Sequence, residues 1–342
     1  MPSASFRQPD FTASRIQAEI DLASPGKRGG HLGLLWSDNA NPLGVYQIPA
    51  ACIVGSPGPT VLLLAGVHGD EYEGPVALDR LYKSLDPEQI RGRLIILPML
   101  NAPACRAGTR CSPLDGGNLN RAFPGDPDER PTQAIAHLVS ACLLPVADAV
   151  IDLHSGGRAS WFVPCALAGR GRDGALDPAN LAMATAFGAD VVWVLGAAND
   201  NRSVNGAATA AGVPCIAAEL GGGGHVGIAP LQAAETGLRR TLAHLGVLGD
   251  SLDPLSAPPR LVELAHAGHR VTAPEPGLYQ PARQAGDSVA AGDLLGWIVR
   301  PDCPDDKPTE IRARIPGLIL AETRHAWAVP GSFLAFIASD LA

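Results

Sequence analysis

The chain has 342 residues, a length that fits one large α/β domain plus a smaller domain. Hydrophobic residues make up 46% of the chain and charged residues 18%, so it can bury a sizeable core, and this composition argues against global disorder. The formal net charge of -8 argues against non-specific nucleic-acid binding, which requires a basic surface.

Cysteine usage and apolar runs bear on the cellular compartment. The seven cysteines are odd in number and include no CxxC pair, which favours neither a disulfide framework nor a thiolate metal site. The N-terminal segment lacks the apolar run of a signal peptide. No apolar stretch approaches the roughly 20 residues that a membrane helix needs. We expect a cytoplasmic protein with no membrane or nucleic-acid partner; assembly into a homo-oligomer is left open.

Over the first 45 or so residues, apolar and polar residues alternate only weakly. A Gly-rich turn is predicted at Gly29–Gly30. Beyond them, apolar runs of strand length alternate with segments of helical spacing, which predicts an α/β fold with helices on both faces of a sheet. The predicted strands are Thr60–Gly66, Arg93–Pro98, Ala149–His154, Val191–Leu195 and Cys215–Glu219. The predicted helices are Gly74–Leu85, Thr132–Leu144 with Thr132 as its N-cap, and Glu235–Leu245.

The composition changes near residue 250. Residues 253–260 are polar and rich in proline, which is typical of a linker. Helical periodicity is then lost, and short apolar runs are interrupted by glycine and proline, which predicts a small all-β region. We therefore expect an α/β domain at residues 1–252 and a C-terminal β domain at residues 253–342.

The first candidate site follows the strand predicted at 60–66. His68 and Glu71 stand three residues apart on a turn at the carboxyl end of this strand, where open α/β sheets bind ligands. An imidazole and a carboxylate are both good Zn²⁺ ligands, and Gly69 between them permits the turn. A solvated loop with an incidental histidine is the alternative interpretation of this short motif.

A second histidine follows another predicted buried strand. His154 precedes a Gly-rich turn and can project over the same edge of the sheet as His68. Two histidines and one glutamate leave a coordination position open for water, which is the pattern of catalytic zinc sites. Asp152 alternates with His154 along the strand and could orient a ligating imidazole. The alternative is a histidine that simply bonds to a backbone carbonyl.

Glu219 ends a further apolar strand and is followed by four glycines. In a pocket that excludes water, burial would raise the pKa of such a carboxyl, and the group could then take a proton from an attacking water. A capping or salt-bridged glutamate beside a flexible loop explains the same pattern equally well.

The segment 110–125 is rich in Asn, Arg and Gly and poor in apolar residues. Arginine and amide side chains can clamp a substrate carboxylate, and a further arginine can stabilise an oxyanion. An ordinary surface loop with solvated arginines is the alternative.

Taken together, these motifs resemble the succinylglutamate desuccinylase/aspartoacylase family, relatives of the zinc carboxypeptidases. The resemblance rests on Gly66–Glu71, Asn118–Gly125, Asp152–Gly156 and Glu219, in this order, and spans roughly residues 45–250. It implies a zinc-carboxypeptidase-like mixed sheet and a hammerhead-like C-terminal β domain. Three stretches are most similar to family members that deacetylate N-α-acetyl-L-2,4-diaminobutyrate in ectoine degradation: 68–78, 112–125 and 219–224.

The resemblance also implies a role for each candidate residue. His68, Glu71 and His154 would hold one Zn²⁺ per chain, and Glu219 would act as general base and then general acid. The substrate would be a small N-acyl amino acid, most simply N-α-acetyl-L-2,4-diaminobutyrate or a close analogue.

Three residues of the 110–125 segment complete the implied machinery. Arg110 would stabilise the oxyanion, while Asn120 and Arg121 would grip the substrate carboxylate. Three alternatives stay open: an aspartoacylase or desuccinylase acting on another N-acyl amino acid, a carboxypeptidase, and a zinc-binding interaction protein without activity.

Overall fold

The computed structural model of the chain describes residues 6–39, 41–196, 200–249 and 254–341. The helices are α1 (Glu73–Ser84), α2 (Ala102–Ala107), α3 (Pro131–His137), α4 (Pro178–Phe187), α5 (Val204–Ala211) and α6 (Ile228–His244). The strands before residue 250 are β1 (Ile16–Ala18), β2 (Gly26–Leu35), β3 (Val45–Val54), β4 (Ser56–Ala65), β5 (Arg91–Leu97), β6 (Ala149–His154), β7 (Ser160–Ala168), β8 (Val191–Val194) and β9 (Cys215–Gly222). The later strands are β10 (Arg260–Glu263), β11 (Arg270–Thr272), β12 (Gly277–Pro281), β13 (Ser288–Val289), β14 (Leu294–Val299), β15 (Thr309–Arg312), β16 (Gly317–Thr323), β17 (Trp327–Ala328) and β18 (Phe333–Asp340).

The centre of the main sheet consists of β5, β4, β6 and β9, which run parallel to one another. Every residue of β6 is buried, as are the last six of β4, because helices cover both faces of the sheet. Residues of α1, α4 and α6 pack on one face, and residues of α3 and α5 pack on the other. The predicted α/β fold is confirmed, and the five strands predicted before residue 250 correspond to β4, β5, β6, β8 and β9.

The parallel register brings three strand ends to one edge of the sheet. Ala65 at the end of β4 lies beside Leu153, and His154 at the end of β6 lies beside Glu219 of β9. The turns that leave β4 and β6 therefore start from neighbouring positions about 5 Å apart, while β9 continues past Glu219 to Gly222. This edge is where ligands bind in open parallel sheets.

The C-terminal strands continue the main sheet. β10 pairs with β8, β18 pairs with β10, and β16 pairs with both β18 and β7. The strands β7, β8, β10, β18 and β16 thus form a closed ring, while β15, β14, β12 and β17 form a separate small sheet. The boundary predicted at 252–253 lies outside the described residues, and the division into two domains stays a prediction.

Two local predictions are wrong, each for a physical reason. Gly29–Gly30 lie inside β2 and not in a turn; a Cβ atom at Gly30 would lie 3.1 Å from Cβ of Ile20, so close packing explains the glycine. The last helix begins at Ile228 and not at Glu235, because Pro230 is tolerated in a first turn. The helix predicted at 132–144 is confirmed: it is α-helical to His137 and continues as a π-helix over Leu138–Leu143.

The predicted N-cap of this helix is also wrong. The N-cap is Arg130, and Thr132 is the second residue of α3. The cap is supplied from a distant loop: the Asp115 carboxylate accepts hydrogen bonds from the Thr132 backbone N–H at 2.8 Å and from its Oγ1 at 2.7 Å. Asp115 also accepts from the Gly117 N–H at 2.9 Å, so it ties the start of α3 to the loop that leads into Asn118.

Replacing Asp115 tests the contribution of these hydrogen bonds to stability. Asp115→Ala should lower the free energy of unfolding by about 1–2 kcal/mol, because the helix start loses its acceptor. Urea denaturation followed by circular dichroism measures the effect. Asp128→Ala, at an exposed position in the segment before α3, should change stability by less than about 0.5 kcal/mol. Equal unfolding midpoints for the two variants would show that the hydrogen bonds of Asp115 do not stabilise the start of α3.

Candidate active site

The turn that follows β4 carries His68 and Glu71, and it lies beside His154, the last residue of β6. All three side chains are buried, and one potential ligand atom from each lies within 4.8 Å of the others. The Glu71 carboxylate lies between the two imidazoles, with Oε1 2.7 Å from Nδ1 of His68 and Oε2 2.8 Å from Nδ1 of His154. The predicted ligand set therefore converges on one point, although the three residues come from two separate motifs.

The charges of this cluster are mutually dependent. Burial disfavours ionisation of Glu71, but His68 and His154 outweigh burial and hold the pKa of its carboxyl well below the usual range. Burial likewise disfavours the imidazolium of His154, yet Asp152 and Glu71 raise the pKa of His154 well above its ordinary value. Without a metal, the site thus holds negative charge at Glu71 that the neighbouring histidines compensate.

The outward nitrogens of both imidazoles have acceptors. Nε2 of His154 lies 2.9 Å from Oδ2 of Asp152, and Nε2 of His68 lies 3.2 Å from Oδ1 of Asn118. When each Nε2 carries the proton and donates it outward, each Nδ1 presents a lone pair beside Glu71. Metal-binding histidines are usually oriented in this way, so the donor set fits a divalent cation.

All seven predicted site residues line one cavity of about 450 Å³. Nη1 of Arg110 lies 3.3 Å from Glu71 Oε1, and Nε of Arg121 lies 3.1 Å from the Asp200 carboxylate. Oδ1 of Asn120 accepts a hydrogen bond from the backbone N–H of Val204 at 3.1 Å, which leaves its amide donors available. The structure brings the seven residues together, and their individual roles remain predictions.

Glu219 differs from Glu71 in its surroundings. Its Oε2 atom is buried and has no hydrogen-bond partner among the described residues. Burial, together with the negative charge of Glu71, raises the pKa of Glu219 to about 8. In the absence of a cation, such a carboxyl holds its proton more tightly than an ordinary glutamate does.

Buried carboxylates and glycines hold the surrounding turns in place. Asp70 accepts a hydrogen bond from the Arg158 N–H at 3.0 Å, and Glu73 accepts one from the Gly227 N–H at 3.5 Å. Backbone hydrogen bonds of 2.9–3.0 Å join the turn at 156–160 to the glycines at 221–224. At Gly222, where φ is +130°, a Cβ atom would lie 2.4 Å from the Ser160 carbonyl oxygen, so glycine is required there.

Sequence reasoning missed several of these contacts. Asn118 stands in a motif already identified, but nothing in the spacing indicates that its side chain reaches His68. Asp70 and Glu73 stand close to Glu71 in the sequence, and this position is the one signal that they lie near the site. The sequence does not indicate that both are buried and accept backbone hydrogen bonds from distant turns. Arg270, Phe333 and Phe336 of the C-terminal strands also line the cavity. No sequence motif predicts that they do.

The fold and the site define a mixed α/β protein with a candidate centre for a divalent metal. The family model described as the succinylglutamate desuccinylase/aspartoacylase catalytic domain matches residues 57–245. The chain belongs to this family, as the motifs had indicated.

Particular relatives resemble nearly the whole chain. The chain is 36% identical over 325 residues to the N-α-acetyl-L-2,4-diaminobutyric acid deacetylase of Halomonas elongata, with 95% of each chain covered. It is 36% identical to the product-bound ectoine utilization protein EutE (DoeB) from Ruegeria pomeroyi, with a TM-score of 0.90 and coverage of 95% of this chain and 99% of that one. A succinylglutamate desuccinylase/aspartoacylase structure from Rhodobacter sphaeroides is 33% identical, with a TM-score of 0.88 and coverage of 96% and 100%.

The contact between Asn118 and His68 leads to a prediction about metal affinity. Asn118→Ala should weaken binding of a divalent cation by about 10- to 100-fold, because His68 loses the acceptor that orients its ring. Competition with a chromophoric chelator measures this affinity. Asn118→Asp keeps an acceptor at the same place and should retain most of the affinity. If both variants lost affinity equally, the hydrogen bond would not be the cause.

Proposed function

We propose that the chain is a zinc-dependent amidohydrolase that removes the acyl group from an N-acyl amino acid, with N-α-acetyl-L-2,4-diaminobutyrate or a close analogue as substrate. The observation that carries the proposal is the convergence of His68, Glu71 and His154 beside Glu219 in one cavity. The deacetylase activity named for the Halomonas relative, at 36% identity over 95% of the chain, supports the choice of substrate.

His68, Glu71 and His154 would hold the metal. Two imidazoles and one carboxylate match the ligand preference of Zn²⁺, and a set of only three protein ligands is the composition of catalytic rather than structural sites. When bound, Zn²⁺ supplies Lewis acidity that polarises the amide carbonyl and lowers the pKa of water. It would also supply the positive partner that the buried Glu71 requires.

Glu219 would move the proton. It lies next to His154 across paired strands and lines the same cavity as the three ligands. Its carboxyl takes the proton of the attacking water and returns it to the departing amine. A pKa near the working pH serves both directions of transfer.

The arginines and Asn120 would bind the charged parts of the substrate. Arg110 is half exposed at the cavity and contacts Glu71, so its guanidinium can reach an oxyanion that develops beside the ligand set. Asn120 and Arg121 would grip the substrate carboxylate through their amide and guanidinium donors.

The C-terminal strands would form a hammerhead-like module that shields the cavity. Phe333 and Phe336 of β18 line the cavity, which supports this role. No helix among the described residues is long and apolar enough to span a membrane. A small N-acyl amino acid is the proposed partner, while a cytoplasmic location and a homo-oligomer stay predictions.

A substrate panel with controlled metal tests the function. N-acetyl, N-formyl and N-succinyl derivatives of 2,4-diaminobutyrate and aspartate, together with short peptides, are assayed at fixed Zn²⁺ for release of free amine. We expect the highest kcat/KM for N-α-acetyl-L-2,4-diaminobutyrate, loss of activity with a chelator, and recovery with Zn²⁺. Preferred cleavage of peptides would indicate a carboxypeptidase, and full turnover by demetallated protein would exclude the zinc mechanism.

Glu219→Gln isolates the proton-transfer role. The substitution should lower kcat by about 10²- to 10⁴-fold, because the amide cannot accept the proton of water. Metal content should be unchanged, since Glu219 is not one of the three proposed ligands. The metal-to-protein ratio and kcat are measured on the same samples. Hydrolysis at the rate of the unmodified protein would remove Glu219 from the mechanism.

A further inference from the structure

Three arginines line the candidate cavity, and they differ in their partners. Arg110 contacts the Glu71 carboxylate at 3.3 Å, and Arg121 contacts the Asp200 carboxylate at 3.1 Å. Arg270 has no acidic partner within 4.0 Å in the described part of the chain, although it lines the same cavity. Among the three arginines, Arg270 is therefore the one whose positive charge is not paired with a carboxylate of the described residues.

The position of Arg270 is fixed by its neighbours. In β11 it pairs with Phe336 of β18, and its guanidinium carbon lies 5.4 Å from the centre of the Phe336 ring. The preceding residue, His269, is buried and hydrogen-bonds through Nδ1 to the Ile337 carbonyl oxygen at 2.7 Å. A guanidinium over an aromatic face is favourably placed, and the buried histidine anchors the strand that carries it.

Phe336 is in turn held by other aromatic residues of the cavity wall. Its ring centre lies 6.5 Å from that of Phe162, 6.3 Å from that of Trp193 and 4.8 Å from that of Phe333. These four aromatic residues come from β7, β8 and β18, strands of the closed ring. The wall that supports Arg270 therefore joins the C-terminal segment to the sheet that carries Glu219.

We propose that Arg270 is a substrate-binding residue that pairs with the carboxylate of the N-acyl amino acid, so that the C-terminal segment supplies part of the specificity site. The choice of probe rests on the proposed function. A cavity of about 450 Å³ is roughly 8–10 Å across, comparable to one Debye length at physiological ionic strength, so a carboxylate bound in it still interacts with the exposed guanidinium of Arg270. Asn120 and Arg121 orient the same carboxylate, and Arg270 compensates its charge.

The test combines one variant with two substrates. N-α-acetyl-L-2,4-diaminobutyrate and its carboxamide, which lacks the negative charge, are assayed with the unmodified protein and with Arg270→Gln. Arg270→Gln should raise KM for the carboxylate by about 10- to 100-fold while kcat changes less than about threefold. KM for the carboxamide should be unchanged. Arg270→Lys, which keeps the charge but not the planar fork, should recover part of the loss.

Arg314→Gln is the matched control, because Arg314 is an exposed arginine of the same C-terminal segment that does not line the cavity. It should leave both KM values unchanged. An equal KM increase for carboxylate and carboxamide, or no increase for either, would overturn the proposal. So would a loss of kcat with unchanged KM, which would indicate a disturbed fold.

A binding measurement separates this proposal from the proposed function. Calorimetric titration of the two compounds into Glu219→Gln protein, with and without Arg270→Gln, gives Kd without turnover. Binding of the carboxylate that depends on Arg270 supports the inference even if the unmodified protein hydrolyses none of the panel. Carboxylate binding that is weak in both proteins, or equally tight in both, refutes it, whatever the activity of the unmodified protein.

Discussion

The buried Glu71 carboxylate is the constraint on which the rest of the site depends. An ionised group in the interior costs several kcal/mol unless opposite charge and hydrogen bonds compensate it. His68 and His154 provide that compensation at 2.7 and 2.8 Å, and a divalent cation would do so more completely. Their convergence is possible because β4 and β6 run parallel and end at the same edge of the sheet.

The residues around this carboxylate chiefly restrict the movement of the two imidazoles and of the adjoining turns. Asn118 and Asp152 hold the outward nitrogens of the imidazoles, and backbone hydrogen bonds join the turns that follow β6 and β9. Displacement of a catalytic group by about 1 Å is enough to lower a reaction rate, so outer contacts of this kind support whatever chemistry the cluster performs. Glu219 differs because its buried Oε2 has no hydrogen-bond partner within the described ranges, which is costly for a buried polar atom and is consistent with the proton-transfer role proposed for it.

The C-terminal strands are part of the environment of the site. They close a ring with β7 and β8, and their side chains Arg270, Phe333 and Phe336 face the cavity beside Glu219. A cavity walled partly by a second segment can change its substrate preference through that segment while the ligand set stays the same. The aromatic wall also removes part of the cavity from water, which strengthens every charge interaction inside it.

The sequence by itself determined the α/β class, the family and the candidate residues. Continuous apolar runs mark strands buried on both faces, and polar residues directly after them mark the ligand-binding edge, because both signals are local. Only the tertiary structure decided that Asn118 reaches His68, that Asp115 rather than Thr132 caps α3, and that Arg270 faces the cavity. These contacts join residues 17 to about 200 positions apart, and local periodicity carries no information about which distant side chains meet when the sheet assembles.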